Sequence, residues 1–160
     1  MFRITSTWEA AQQMTEQTRT VAIVGQGYVG LPVAMRAVEQ GYRVVGVDLD
    51  VRRVESLRNG HSFVDDISDE VLGEALASGR YLPTLDYADA AQFDVAVITV
   101  PTPLREGLPD LTFIEDSARS LAALLRPGCT VVLESTTYPG TTQELLVPIL
   151  EAGSGLVAGQ

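Results

Sequence analysis

Ten residues, Val21-Ala22-Ile23-Val24-Gly25-Gln26-Gly27-Tyr28-Val29-Gly30, constrain this chain more than any other stretch. A short apolar run meets Gly-x-Gly-x-x-Gly, and a helical pattern begins at Leu31. In a strand-turn-helix of this kind each glycine has a separate physical task. Gly25 permits a tight turn off the strand. Gly27 carries no side chain, so the backbone there can come close to a pyrophosphate. Gly30 lets the helix pack closely on the strand. The first N–H groups of that helix, at the positive end of its dipole, would then face the phosphates of a dinucleotide. The triplet alone is also compatible with an ordinary glycine-rich turn, so its meaning depends on the rest of the chain.

The remaining residues alternate regularly between strand and helix patterns. Thr20 to Val24 is apolar on both sides, as a central parallel strand covered by helices on each face must be. Leu31 to Gln40 carries Leu31, Ala34, Met35 and Val38 on one stripe, with Pro32 tolerated in its first turn and Gly41 closing it. Arg43 to Asp48 reads as a second buried strand that ends in an acid. Val51 to Arg58 and a segment from Asp69 to Ser78 read as helices, the latter with acids in its first turn. Tyr81–Leu85 and Phe93–Val100 read as strands, with a small helix or turn between them at 86–92. A loop at 104–109 then leads to a helix opened by a capping box at Thr112 and ended by Pro127-Gly128. Residues 129–134 form a fifth strand, and a second capping box at Thr141 opens a last helix. The order β-α-β-α-α-β-β-α-β-α predicts an α/β fold, a doubly wound parallel sheet of Rossmann type in three αβα layers with right-handed crossovers. Residues 5–18 carry Trp8 and Ala11 at helical spacing, which suggests a helical extension over residues 1–19 ahead of a domain at 20–160.

Asp48 sharpens the dinucleotide signal. It stands eighteen residues past Gly30, at the carboxyl end of the next strand, where a carboxylate can accept hydrogen bonds from an adenosine ribose. A 2′-phosphate there would meet its negative charge, which favours NAD over NADP. Arg52 and Arg53 pull the other way, because an arginine at this point can accommodate a 2′-phosphate. A cap for the helix starting near Asp50 is the alternative role for Asp48. Thr102, held between Pro101 and Pro103, and the hydroxyls of Ser135-Thr136-Thr137 sit at two further strand ends, where open parallel sheets bind ligands.

Charge and cysteine content close off other classes. The net charge is −10, which disfavours nucleic-acid and anionic-membrane surfaces. A content of 46% hydrophobic and 20% charged residues belongs to a folded domain and not to a disordered chain. The single cysteine, Cys129, excludes an internal disulfide. No apolar run approaches the roughly 20 residues that span a bilayer, and Met1 to Thr20 has no apolar signal-peptide core. The expected location is cytoplasmic. The only histidine, His61, lies beside the Asn59-Gly60 turn and reads as a solvated loop residue. The acids Asp65, Asp66, Asp69 and Glu70 lack a complete ligand spacing, so no metal is expected.

Five ordered motifs carry a family resemblance: Val24–Pro32; Asp48 and Asp50 with Arg53; Val100-Pro101-Thr102-Pro103-Leu104; Pro109-Asp110-Leu111; and Glu134-Ser135-Thr136-Thr137-Tyr138-Pro139-Gly140-Thr141-Thr142. From Thr20 onward the chain resembles the N-terminal domain of the UDP-glucose/GDP-mannose dehydrogenase family. The last motif most resembles the UDP-N-acetylglucosamine 6-dehydrogenase branch, with UDP-N-acetylmannosamine dehydrogenase as its nearest competitor. Gln26 stands where leucine is common, a change that should not block pyrophosphate approach.

The resemblance implies that Tyr28 and Val29 contact the cofactor diphosphate by their backbones, with Gly25, Gly27 and Gly30 around them. It implies Asp48 on the adenosine ribose and Arg53 on the adenosine side of NAD. Thr102 and Thr136 would line the nicotinamide end, with Thr136 also beside a catalytic water. Such enzymes oxidise a sugar C6 alcohol to a carboxylate in two NAD-dependent steps, the second through a thioester on cysteine. That cysteine and its companions, the central dimerisation helix and the nucleotide-sugar domain are expected outside these 160 residues, and Cys129 does not match the nucleophile. The expected partners are therefore NAD, a UDP-sugar once the missing domain is present, and a second copy in a full-length homodimer. The chain by itself is expected to be inactive. A stand-alone NAD-sensing module and the cofactor domain of a 6-phosphogluconate or 3-hydroxyacyl dehydrogenase remain alternatives, because the fold hosts many chemistries.

Overall fold

Strand β1 (Thr20–Val24) sits at the centre of a parallel sheet because both its faces are apolar. Val21 and Ile23 point to one side and Ala22 and Val24 to the other, and all four are buried. The computed structural model describes residues 18–105 and 107–159. Apart from Thr18, the helix expected over 5–18 lies outside the described residues.

After β1 come α1 (Gly30–Glu39), β2 (Arg43–Val47), α2 (Val51–Arg58), α3 (Asp69–Ala77) and β3 (Tyr81–Thr84). A 3-10 turn (Tyr87–Ala90), β4 (Val95–Ile98) and two short strands, β5 (Leu104–Arg105) and β6 (Leu108–Pro109), come next. The chain then forms α4 (Thr112–Ala122), β7 (Thr130–Leu133), a π-helical turn (Thr142–Leu146) and α5 (Val147–Ser154). Five strands make one parallel sheet in the order β3-β2-β1-β4-β7.

Each face of the sheet has its own core. Leu31, Ala34, Met35 and Val38 of α1 close one face together with Leu57 of α2 and Leu72 and Ala75 of α3. Ala118, Leu121 and Ala122 of α4 close the other with Phe93, Leu146 and Leu150. Each such leucine or phenylalanine contributes about 1.5–3 kcal/mol by leaving water, which makes the three layers mutually dependent.

The register decides where the site lies. Val24 stands opposite both Val47 and Ile98, and Ile98 stands opposite Leu133. Gly25, Asp48, Thr99 and Glu134 therefore leave the sheet at one level. Strand order reverses between β1 and β4, and in an open parallel sheet the crevice at that switch point receives the ligand.

Some local expectations are corrected by the structure. Residues 104–109 form a small antiparallel hairpin, Leu104 opposite Pro109 and Arg105 opposite Leu108, turned at Gly107 with φ +84°. Thr112 is the first residue of α4 and not its cap. The Asp110 carboxylate, a stronger acceptor two residues upstream, takes the Thr112 N–H at 3.0 Å and its hydroxyl at 2.6 Å. Thr141 does occupy the N-cap position of the last helix, but its side chain makes no capping bond: the hydroxyl donates back to Tyr138 O, and the helix opens with π geometry. Helix α4 ends at Ala122, short of Pro127, so Leu125 packs from the turn after it. Ser68 caps α3 as Asp69 and Glu70 occupy its first turn.

Candidate functional site

The three glycines of the loop after β1 have three different surroundings. Gly25 has φ +93°, and a Cβ there would meet Thr99 O at 2.7 Å. Its N–H donates to Val47 O at 2.7 Å, tying the loop to the end of β2. A Cβ on Gly30 would collide with Gly25 O and Thr99 Oγ1, so helix and strand meet with no room for a side chain. Gly27 differs: a Cβ there would face only Arg53 Nη1, 4.0 Å away. The space in front of it is open. The N–H groups of Gly27, Tyr28 and Val29 donate to no acceptor among the described residues. With the Tyr28 and Val29 side chains turned to solvent, those residues offer the space their backbones alone. An open, donor-lined cradle at a helix N-terminus suits a pyrophosphate.

Asp48 closes the cradle from the side of β2. It is 7% exposed. Its Oδ2 accepts from the Gln26 N–H at 2.8 Å and its Oδ1 from the Asp50 N–H at 2.9 Å. Each carboxylate oxygen keeps lone-pair capacity for a further donor such as a ribose hydroxyl. Asp50, not Asp48, caps α2, accepting from Arg52 N. Arg53 brings Nη1 to 3.5 Å from Asp48 Oδ2 and lies over the Phe63 ring, 5.6 Å from its centroid. Arg52 turns outward instead and pairs with Asp50 at 3.1 Å, an arrangement that lowers the Asp50 carboxyl below its ordinary range. The two arginines thus separate: Arg53 borders the cradle beside Asp48, and Arg52 stays at the surface.

On the far side of the switch point, Thr102 and Thr136 meet. The Thr102 hydroxyl donates to Thr136 O at 2.8 Å, and the Ser135 hydroxyl donates to Val100 O at 2.8 Å. These two bonds cross-link the segments leaving β4 and β7. Gly25, Gly27, Tyr28, Val29, Gly30, Asp48 and Arg53 form one contiguous group, and Thr102 with Thr136 forms a second. Thr99, three residues before Thr102 on the segment leaving β4, ties that segment to the first group, its hydroxyl reaching Val24 O at 2.9 Å and Gly25 O at 2.8 Å.

Thr99, Phe63 and Gln26 carry this geometry, and sequence reasoning gave none of them a positive role. Thr99 lay inside the expected strand and Phe63 in a featureless loop. The Gln26 side chain turns inward, as its supposed neutrality toward pyrophosphate requires, and is fully buried. Its Oε1 accepts from the Tyr81 hydroxyl at 2.7 Å. The one available signal was Gly46, a glycine inside a strand, which marks close approach of another group. Burial, helped by the nearby Asp48 charge, pushes the Tyr81 hydroxyl pKa well up, so it stays a donor.

Two residues lie away from the cradle. Cys129 is at the amino end of β7, opposite the site end of the sheet, and its thiol donates to Phe93 O. His61 is an exposed residue whose Nδ1 lies 3.2 Å from the Asp69 carboxylate.

Comparison with known proteins identifies relatives of the whole domain. The profile of the UDP-glucose/GDP-mannose dehydrogenase family, NAD binding domain, matches residues 19–158. The UDP-N-acetyl-D-glucosamine 6-dehydrogenase of Pseudomonas aeruginosa is 40% identical over 139 residues, covering 85% of this chain and 32% of that protein. Among solved structures, the UDP-D-ManNAc dehydrogenase of Pyrococcus horikoshii superposes with a TM-score of 0.83 at 34% identity, over 88% of this chain and 34% of that one. The GDP-mannose dehydrogenase of Pseudomonas aeruginosa, solved as a ternary complex, gives 0.80 at 32% identity over 86% and 33%. The chain spans about a third of the length of the curated relatives it matches.

Proposed function

The chain belongs to the UDP-glucose/GDP-mannose dehydrogenase family, as its NAD-binding domain, and we propose that residues 20–160 hold NAD for a longer nucleotide-sugar 6-dehydrogenase. The observation that carries the assignment of the site is the buried Asp48 carboxylate set against the open, donor-lined backbone at Gly27. The residues present fit the cofactor: N–H groups for the diphosphate, a carboxylate for the ribose, and no side chain where the backbone must approach. Asp48 would repel a 2′-phosphate, and Arg53 beside it is paired with that same carboxylate, 3.5 Å away, so part of its charge is already spent on Asp48. This supports NAD over NADP.

When bound at these residues, NAD would supply the hydride acceptor for oxidation at the sugar C6. The remaining work of this chain is orientation. Gly27, Tyr28 and Val29 would hold the diphosphate, and Asp48 and Arg53 would hold the adenosine end. Thr102 and Thr136, cross-linked at the carboxyl ends of β4 and β7, would border the nicotinamide end. Thr136, an exposed residue, would hold a water for the hydrolytic part of the second oxidation. The whole enzyme would oxidise the C6 alcohol of a UDP-sugar, a UDP-N-acetylhexosamine by analogy with the named relatives, to a uronate in two NAD-dependent steps. It would act in the cytoplasm as a homodimer or larger assembly. Among the described residues, no helix is long and apolar enough to cross a membrane.

The nucleophile for the second step is not Cys129, which is fixed to Phe93 O at the wrong end of the sheet. These 160 residues therefore bind NAD and do not complete the oxidation themselves. Calorimetric titration with NAD and NADP tests the site, with NAD expected to bind more tightly. Equal or tighter NADP binding refutes the reading of Asp48. Incubation with NAD and UDP-N-acetylglucosamine is expected to give no NADH absorbance, and turnover would refute the division of labour.

A further inference from the structure

We propose that Gln26 and Tyr81 form a buried lock that positions the glycine loop and Asp48 for the cofactor. The proposal rests on the reading of Gly25–Gly30 and Asp48 as the NAD site. Gln26 occupies the first variable position of Gly-x-Gly-x-x-Gly, where the resemblance leads one to expect leucine. Its side chain makes three contacts. The amide nitrogen donates to Ile23 O at 2.9 Å and, more weakly, to Gly25 O at 3.4 Å. The amide oxygen accepts from the Tyr81 hydroxyl at 2.7 Å. Backbone carbonyls only accept, so the amide nitrogen must face Ile23 and Gly25, and the oxygen is left for Tyr81.

The same residue also holds the ribose acid, since its backbone N–H donates to Asp48 Oδ2 at 2.8 Å. Gln26 thus ties together the exit of the loop from β1, the orientation of Asp48 beyond β2, and Tyr81 on β3. A leucine would fill the volume and make none of the side-chain ties. Gly46 supplies the room. Its φ lies outside the left-handed region, so its backbone does not call for glycine there. A Cβ at that position would meet Gln26 Oε1 at 2.5 Å and Tyr81 Cε2 at 2.9 Å. The space at Gly46 and the two side chains that fill it belong to one arrangement. A fully satisfied buried network of this kind confers rigidity and a unique geometry. A cradle held in its binding geometry before NAD arrives loses less ordering entropy on binding.

The test is a double-mutant cycle on the 160-residue chain, read by calorimetric NAD affinity and by thermal denaturation. Tyr81→Phe keeps the ring and strands Gln26 Oε1; Gln26→Leu keeps the volume and strands the Tyr81 hydroxyl. Each is expected to raise the NAD Kd roughly tenfold, the scale of one lost buried hydrogen bond. The double variant is expected to raise it no further than either single change, because one break opens the lock. Tyr87→Phe removes the bond of a half-buried tyrosine, to Ser117 at 3.3 Å on the other face. It is expected to lower Tm and leave the NAD Kd unchanged, which separates positioning from stability. Unchanged affinity in both single variants overturns the lock, as does a double variant whose effect is the product of the two. A wild-type chain that fails to bind NAD overturns the site reading and the lock with it.

Discussion

Substituting the three motif glycines one at a time separates folding from binding, because the structure gives each a different penalty. Gly25→Ala must place a Cβ at φ +93° and 2.7 Å from Thr99 O. The left-handed backbone costs about 1–2 kcal/mol, and forcing a methyl into a packed contact costs about 1–3 kcal/mol more. A loss of about 2–5 kcal/mol corresponds to a fall in Tm of roughly 5–20 °C for a domain of this size. Gly30→Ala collides with Gly25 O and Thr99 Oγ1 and belongs in the same range. Gly27→Ala meets nothing closer than Arg53 Nη1 at 4.0 Å and needs no unusual φ. Its stability is expected to stay within about 0.5 kcal/mol of wild type. Its methyl nevertheless occupies the space through which a pyrophosphate reaches the backbone. One or two charge-assisted hydrogen bonds at about 1.5–3 kcal/mol each are then lengthened or lost. NAD affinity is expected to fall by about 10- to 100-fold in Gly27→Ala, and below detection in Gly27→Val. Thermal denaturation and calorimetric NAD titration, run on one preparation of each variant, provide both readouts. Native-like NAD affinity in Gly27→Val would refute the placement of the phosphates. Unfolding of Gly27→Ala to the extent seen in Gly25→Ala would refute the claim that the space is open.

Asp48→Asn keeps one acceptor oxygen and removes the charge, so NAD binding is expected to weaken while NADP binding improves relative to it; an unchanged NAD-to-NADP ratio by titration counts against ribose recognition. Cys129→Ser is expected to leave the NAD Kd unchanged, because the residue lies at the opposite end of the sheet from the cradle. Asp94 gives a pH-dependent outcome. Hydrogen bonding from the Thr20 N–H, then the Arg126 guanidinium, lowers its pKa from 3.8, so its stabilising contribution is full above that value and disappears as pH falls through the lower folded-state pKa. Asp94→Asn is accordingly expected to melt below wild type at neutral pH, with the gap closing as the pH drops below 3.8; a gap independent of pH would show that ionisation of Asp94 plays no part.

Much of this molecule is dictated by local sequence. The alternation of buried strands and striped helices, the reversal of chain direction at Gly25 and Gly41, and Asp48 at the end of β2 are set within windows of about twenty residues. Periodicity and backbone preference act at that range. The proposed cofactor cradle is legible for the same reason: a strand, a glycine turn and a helix N-terminus are consecutive in the chain. The side-chain capping bonds expected of Thr112 and Thr141 do not form because competing acceptors, the Asp110 carboxylate and the Tyr138 carbonyl, lie just upstream and take the hydroxyls.

Local pattern could not supply partnership between distant residues. Tyr81 meets Gln26 fifty-five positions away, and Thr99 holds the Gly25 carbonyl from seventy-four positions away. Thr102 joins Thr136 only because β4 and β7 are neighbours in register. Phe63 backs Arg53 from the loop between α2 and α3. Such contacts depend on strand order and register, which the packing of two apolar cores on both faces of the sheet selects for the chain as a whole. The sequence by itself determined that the chain would build an open glycine loop at a helix N-terminus with an acid beside it, the cradle proposed for a dinucleotide. Only the tertiary structure decided what holds that cradle open, because the groups that hold it are brought together by the sheet and not by the chain.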